Sequence, residues 1–227
     1  MKVVLLPGLD GTGLLFQPLI EALSVDIDVV VISYPKFKKQ SYEELIDFVI
    51  ARLPEENYIL VGESFSGNIA YNIAKTNPKH LMSVIFVVSF LSNPRPLLLE
   101  FINRLSSRLL FSVSPPKMII KQFMLSFSTS KKMIQLFLEA LKQTSPDVLS
   151  FRLKEISKLQ NSFGVCKVNA IYIQATNDYL VPQQMVEEFK QSCINLSIKK
   201  INGPHFILQA KPEECARIIE SEVKKQE

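Results

Sequence analysis

The residue pattern predicts an α/β fold: a mostly parallel sheet with helices on both faces and a helical cap inserted before its last strands. Short, almost wholly apolar runs alternate with segments whose apolar residues recur at helical spacing, and strands apolar on both sides belong to a sheet covered on both faces. That alternation stops near residue 93 and resumes near residue 163, with only helix-like periodicity between. Six of the seven glycines fall in three loops, at Gly8, Gly11 and Gly13, at Gly62 and Gly67, and at Gly203. Glycine serves where backbone must approach closely or take positive φ, so three such loops far apart in sequence suggest one convergent site. A 227-residue chain that is 47% hydrophobic can bury one sizeable core, which makes one compact domain the expectation, with residues 1–92 and 163–227 as core and 93–162 as cap.

The elements follow in order. Residues 2–6 form the first strand, and PGLDGTG comes directly after it. Leu14, Leu15, Leu19, Ile20 and Leu23 space a helix, and residues 27–33 are a Val-rich strand. An amphipathic helix over 42–53 opens with Ser41 and, three residues on, Glu44, the pattern of a capping box. Residues 58–61 are a buried strand, and Ile69, Ala70, Ile73 and Ala74 space the helix that Asn77-Pro78 ends. Residues 82–88 are a further strand. Beyond the cap come a strand over 168–174, a loop over 175–181 and a helix over 182–191 with Pro in its first turn. A last strand over 196–201, a loop over 202–205 and a helix from 212 to about 223 complete the chain.

Within the cap, helical spacing links Leu98, Phe101, Ile102, Leu105 and Leu109, then Ile119, Ile120, Phe123, Met124 and Phe127, then Met133, Ile134, Phe137, Leu138 and Leu141. Most of these side chains face a core. Three short helices need fewer large apolar residues than this, and the surplus is expected to line a pocket at the C-terminal edge of the sheet. Positive charge concentrates here too: residues 94–161 hold eleven Lys or Arg against four Asp or Glu, in a chain of net charge +4. A solvated helix face is the plain reading of that excess. Attraction to an anionic surface, to CoA or to a carrier protein is the sharper one. No basic run has the aromatic interleaving of a nucleic-acid binder.

Composition bounds the rest. Cys166, Cys193 and Cys215 are odd in number and lie at no metal-ligand spacing, and the chain has two His. No metal or cofactor is expected, and reduced thiols suit a cytoplasmic protein. The N-terminal apolar run is too short for a secretory signal, and the stretch 81–91 is too short to span a bilayer.

Chemistry concentrates in the loops after the strands. Between strand 58–61 and the helix that follows, the chain reverses in very few residues, with Gly62, Ser66 and Gly67 around Ser64. Small flanking residues permit a sharp strained turn that lifts a Ser hydroxyl into the open, facing the free N–H groups of a helix start. The usual pattern is G-x-S-x-G; here Ser66 takes the last position and Gly67 follows. At the same sheet edge ATNDYLVP offers Asp178 and NGPH offers His205, since parallel strands put these loops side by side. His80, past a helix end, is expected to be solvated, and Glu63 to be structural.

With Ser64, Asp178 and His205 in the order Ser…Asp…His, and with PGLDGTG and GESFSG, the chain resembles an α/β-hydrolase along nearly its whole length, the cap being the divergent part. It opens on what resembles the family's third strand, so the first two antiparallel strands of larger members are expected to be missing. Pro7 stands where many members have His, a start shared with thioesterase-like and some esterase branches. The resemblance implies that Ser64 is the nucleophile, His205 its general base and Asp178 the acid that orients the ring. It also implies that the backbone N–H groups of Leu9 and Phe65 form the oxyanion hole. Asp10, Phe90, Phe101, Phe123 and Phe206 are the candidate substrate contacts, although Asp10 and Thr12 could equally stabilise their own turn. The expected activity is cleavage of an ester or thioester with an apolar part. Acyl transfer, thioesterase action on CoA- or carrier-bound acyl groups, and a non-catalytic binding protein on a hydrolase scaffold are the alternatives.

Overall fold

The computed structural model describes residues 1–104, 131–160 and 164–226. Six strands, β1 (Lys2–Leu6), β2 (Asp28–Val31), β3 (Tyr58–Glu63), β4 (Leu81–Val87), β5 (Asn169–Ala175) and β6 (Leu196–Ile201), pair in the order β2-β1-β3-β4-β5-β6. Every pairing is parallel. Parallel neighbours require crossovers, which α1 (Gln17–Ala22), α2 (Tyr42–Ile50), α3 (Ser66–Lys75) and α7 (Val186–Ser192) supply.

The period-2 geometry of the strands divides the core in two. Val4, Leu6, Tyr58 and Leu60 face the layer holding Leu45 and Val49 of α2, Ile69 and Ile73 of α3, and Phe189 of α7. Val3, Leu5, Ile59 and Val61 face the opposite layer, where Leu19 of α1 meets Ile207 and Leu208 of the short helix α8 (Ile207–Ala210) and Cys215, Ile219 and Val223 of α9 (Pro212–Gln226). The edge strands depart from the apolar-throughout expectation. β2 is only partly buried and β6 exposes Ser197, Lys199 and Lys200, because an edge strand has a neighbour on one side only.

Local signals hold in detail. Ser41 accepts from the Glu44 backbone N–H while the Glu44 carboxylate accepts from the Ser41 N–H, a complete capping box. The segment expected as one helix from residue 14 begins instead as a 3₁₀ turn, Leu14–Phe16, before α1. Pro182 likewise precedes a 3₁₀ turn, Gln183–Met185, rather than opening an α-helix.

Between β4 and β5 lie α4 (Pro96–Arg104), α5 (Lys131–Gln143) and α6 (Pro146–Lys158). The helical stretch expected over Ile119–Phe127, and Phe123 with it, falls outside the described residues. Periodicity did not single out α6. Its buried face carries Ser150, Arg152 and Glu155 among Val148, Leu149, Leu153 and Ile156, which blurs the apolar stripe. Its start was readable, since Ser145 caps the Val148 N–H ahead of Pro146. No helix among the described residues is long and apolar enough to cross a membrane.

Candidate active site

Four loops at the C-terminal edge of the sheet build the site. At the end of β3 the chain turns through Ser64, held at φ 50°, into α3. Positive φ is strained for a residue with a Cβ, and Val88, just past the end of β4, shares it at φ 44°. The turn is possible because its flanks are bare. A Cβ on Gly62 would lie 2.7 Å from the Ser66 carbonyl oxygen, and one on Gly67 would lie 2.2 Å from the Ser89 Cβ. Close approach thus falls at residue 67, not at the Ser66 position that departs from the usual motif.

Ser66 is not a passive substitute. Its hydroxyl donates to the Pro7 carbonyl, so the Tyr34 hydroxyl, 2.5 Å away, must donate to Ser66. This chain of bonds fastens the start of α3 to the loop after β1. Two departures from the common family pattern, Pro7 and Ser66, therefore contact each other.

Asp178 and His205 come from the loops after β5 and β6. The Asn177 and Asn202 side chains bond at 2.8 Å and the Asn177 N–H donates to the Gly203 carbonyl at 3.0 Å, holding the two loops together. Asp178 Oδ1 accepts from the N–H groups of Leu180 and Val181, both at 2.8 Å. Its Oδ2 lies 2.7 Å from His205 Nδ1. A carboxylate accepts, so Nδ1 carries the proton, leaving Nε2 to accept from the Ser64 hydroxyl 3.0 Å away. Burial of His205 disfavours its charged form. The Asp178 charge, its hydrogen bond and the nearby Glu63 outweigh that, and the imidazole pKa is raised above its ordinary 6.5.

The loop after β1 faces Ser64. Its Gly8 carbonyl accepts from the Gly11 N–H at 3.1 Å, closing a turn over residues 8–11. Neither the Leu9 nor the Phe65 N–H takes part in a described backbone hydrogen bond. Asp10 Oδ2 accepts from the Thr12 N–H at 2.9 Å and the Thr12 hydroxyl at 2.5 Å, so the side chain steadies its turn while Asp10 also lines the cavity.

That cavity has a volume of about 490 Å³ and reaches Ser64 and His205. Leu15, Phe90, Leu99, Phe137, Leu153 and Phe206 are among its apolar walls, and Arg95 and Lys142 also line it. Phe206 packs edge-on against both Phe137 and His205. Phe101 is not in the lining: it sits on α4 with 61% of its surface exposed. Helical spacing grouped it with Leu98 and Ile102, which do line the cavity, but did not reveal which face turned inward. His80 lies at the opposite, N-terminal edge of the sheet, just before β4, its ring 3.5 Å from Asn57.

Two buried charged residues in this region were not given site roles from sequence. Glu63 accepts from Gln209 at 3.0 Å, and burial pushes its carboxyl up to about 7. Arg152 of α6 reaches the loop after β1, donating through Nη1 to the Leu9 and Asp10 carbonyls. The available signal for Arg152 was its place on the helical stripe Val148, Leu149, Leu153, Ile156. Counted from sequence with the solvated cap cations, it is in fact buried. Among the described residues no group of three or more His, Cys, Asp or Glu is placed to hold a metal ion.

Comparison with known proteins places this architecture. No curated protein sequence matches the chain. Among solved structures, a lipase-esterase related protein from Clostridium acetobutylicum superposes with a TM-score of 0.77 at 15% identity, covering 97% of this chain and 93% of that one. An esterase from Exiguobacterium antarcticum gives 0.77 at 14% identity over 99% and 92%. The RedJ thioesterase of the prodiginine pathway in Streptomyces coelicolor gives 0.72 at 19% identity over 97% and 85%. A family model for the alpha/beta hydrolase fold matches residues 2–212, and with that match the chain belongs to the alpha/beta hydrolase family.

Proposed function

We propose that the protein is a serine hydrolase that cleaves a carboxylic ester or thioester with an apolar acyl or alcohol part, through an acyl-enzyme. One observation carries the reading: the Ser64 hydroxyl lies 3.0 Å from His205 Nε2, whose Nδ1 lies 2.7 Å from Asp178, at an apolar cavity. A Ser hydroxyl is a poor nucleophile at neutral pH until a base takes its proton. In this reading Ser64 Oγ attacks the substrate carbonyl carbon while its proton passes to Nε2. The carbonyl π electrons move onto oxygen, where the Leu9 and Phe65 N–H groups stabilise the charge. Collapse breaks the bond to the leaving alcohol or thiol, which takes the proton from Nε2. Water then repeats the sequence and frees the acid.

The cavity walls support the apolar preference, since each buried CH₂ contributes roughly 0.8 kcal/mol. Arg95 and Lys142 in the lining favour a second reading within the same chemistry, a thioester on an anionic carrier. Turnover of acyl-CoA that falls steeply with added salt supports it, and a flat response counts against it.

The first test is Ser64→Ala on nitrophenyl esters graded by acyl length, alongside labelling by a fluorophosphonate. The variant is expected to fold, to lose labelling and to show only background turnover. Wild-type rates in the folded variant overturn the mechanism.

A further inference from the structure

We propose that Arg152, carried by the inserted helix α6, is a positioning residue for the oxyanion donors: it holds the 8–11 turn in the orientation that aims the Leu9 N–H at the reacting carbonyl. The inserted helices then take part in transition-state stabilisation as well as in covering substrate. This inference rests on the serine-hydrolase reading and assigns a residue to its transition-state step.

Arg152 is 2% exposed, and the described hydrogen bonds of its guanidinium all go to backbone carbonyls. Nη1 donates to Leu9 O and Asp10 O, both at 2.9 Å, and Nη2 to Pro35 O at 3.1 Å. A buried cation is unfavourable unless its donors are engaged. Here two of the three acceptors belong to one turn. Thr144, at the α5–α6 junction, adds a bond from its hydroxyl to Asp10 O at 2.7 Å. Both contacts on that carbonyl come from the insertion.

The geometry of the turn explains why this grip matters. A planar peptide puts its C=O and N–H on opposite sides. With Gly8 O directed at the Gly11 N–H, the Leu9 N–H must point the other way. The next peptide, Leu9–Asp10, is the central one of the turn, and its flip is what separates the two common turn types. Arg152 holds the carbonyl of that peptide. Gly11 provides the space: it sits at φ +72°, and a Cβ there would lie 2.3 Å from Arg152 Nη1. Lys has no planar fork with which to span the Leu9, Asp10 and Pro35 carbonyls.

A donor that engages only the developing oxyanion affects kcat and leaves KM alone. The experiment compares wild type with Arg152→Met, Arg152→Lys and Thr144→Val. It reads kcat and KM on a nitrophenyl ester, thermal unfolding, and inhibition by an alkyl boronic acid, whose tetrahedral adduct on Ser64 puts an oxygen in the oxyanion position. For folded Arg152→Met, kcat is expected to fall on the order of 10²-fold. KM should stay nearly unchanged and boronate affinity should weaken in parallel. Arg152→Lys should recover part of both. Thr144→Val should lose about three- to ten-fold in kcat. A folded Arg152→Met with wild-type kcat, or with its loss confined to KM, overturns the inference. If neither Arg152 variant folds, Thr144→Val decides, and unchanged kcat and boronate affinity there overturn it. A wild type inert to both ester and fluorophosphonate overturns the hydrolase reading instead.

Discussion

Two opposing effects set the proton affinity of His205: burial favours the neutral ring, while Asp178 and Glu63 favour the charged one and win. Only the neutral ring can act as base. In the proposed mechanism kcat/KM therefore rises with pH, with a midpoint above the ordinary His value of about 6.5. Asp178→Asn removes the larger attraction, so the midpoint should move to lower pH. The same change lets the wrong tautomer form, and kcat should fall on the order of 10⁴-fold. A pH profile of both proteins checks it, and an unmoved midpoint contradicts the electrostatic account. His205 stood out in sequence because its type is scarce: the chain has two His, and this one follows Gly203 at a strand end. Arg152 did not stand out, because one Arg among eleven cap cations gives no sign that it is buried.

At the scale of elements, the turn through Ser64 depends on an approach between neighbouring segments. Gly67 of α3 meets Ser89 beyond β4, and Ser89 bonds back to the Gly62 and Val87 carbonyls. Gly67→Ala should destabilise the protein by about 1–3 kcal/mol through overpacking. Ser89→Gly, which removes the obstructing Cβ, should offset part of that loss, so the double mutant should be more stable than the sum of the singles. Urea unfolding of the four proteins measures the coupling, and simple additivity rules out the steric explanation. Strands and amphipathic helices were legible because burial on one or both faces imposes a period on the sequence. α6 escaped because its inward face satisfies Arg152 by hydrogen bonds rather than by apolar contact.

At the scale of the whole molecule, Glu63 couples the site to stability. It is buried beside Ser64, with a folded-state pKa of about 7 against an ordinary 4.5. Between those values the unfolded chain releases the proton and the folded one keeps it. Stability therefore falls as pH rises through this window, by about 3 kcal/mol once the group is ionised in both states. Glu63→Gln keeps an acceptor for Gln209 and removes the charge. Its stability relative to wild type should grow between about pH 5 and about pH 8 in denaturant unfolding. A constant difference would show that Glu63 ionises freely.

Apolar periodicity and glycine spacing were enough to dictate the alternating strands and helices, the parallel sheet and the loops that gather at one edge, because these follow from local burial and backbone sterics. Only the folded chain decided which insertion face lines the cavity, that Phe101 turns away from it, and that Arg152 crosses from α6 to grip the loop after β1. The last of these depends on contacts between residues more than a hundred positions apart. A local pattern carries no record of what will be packed against it.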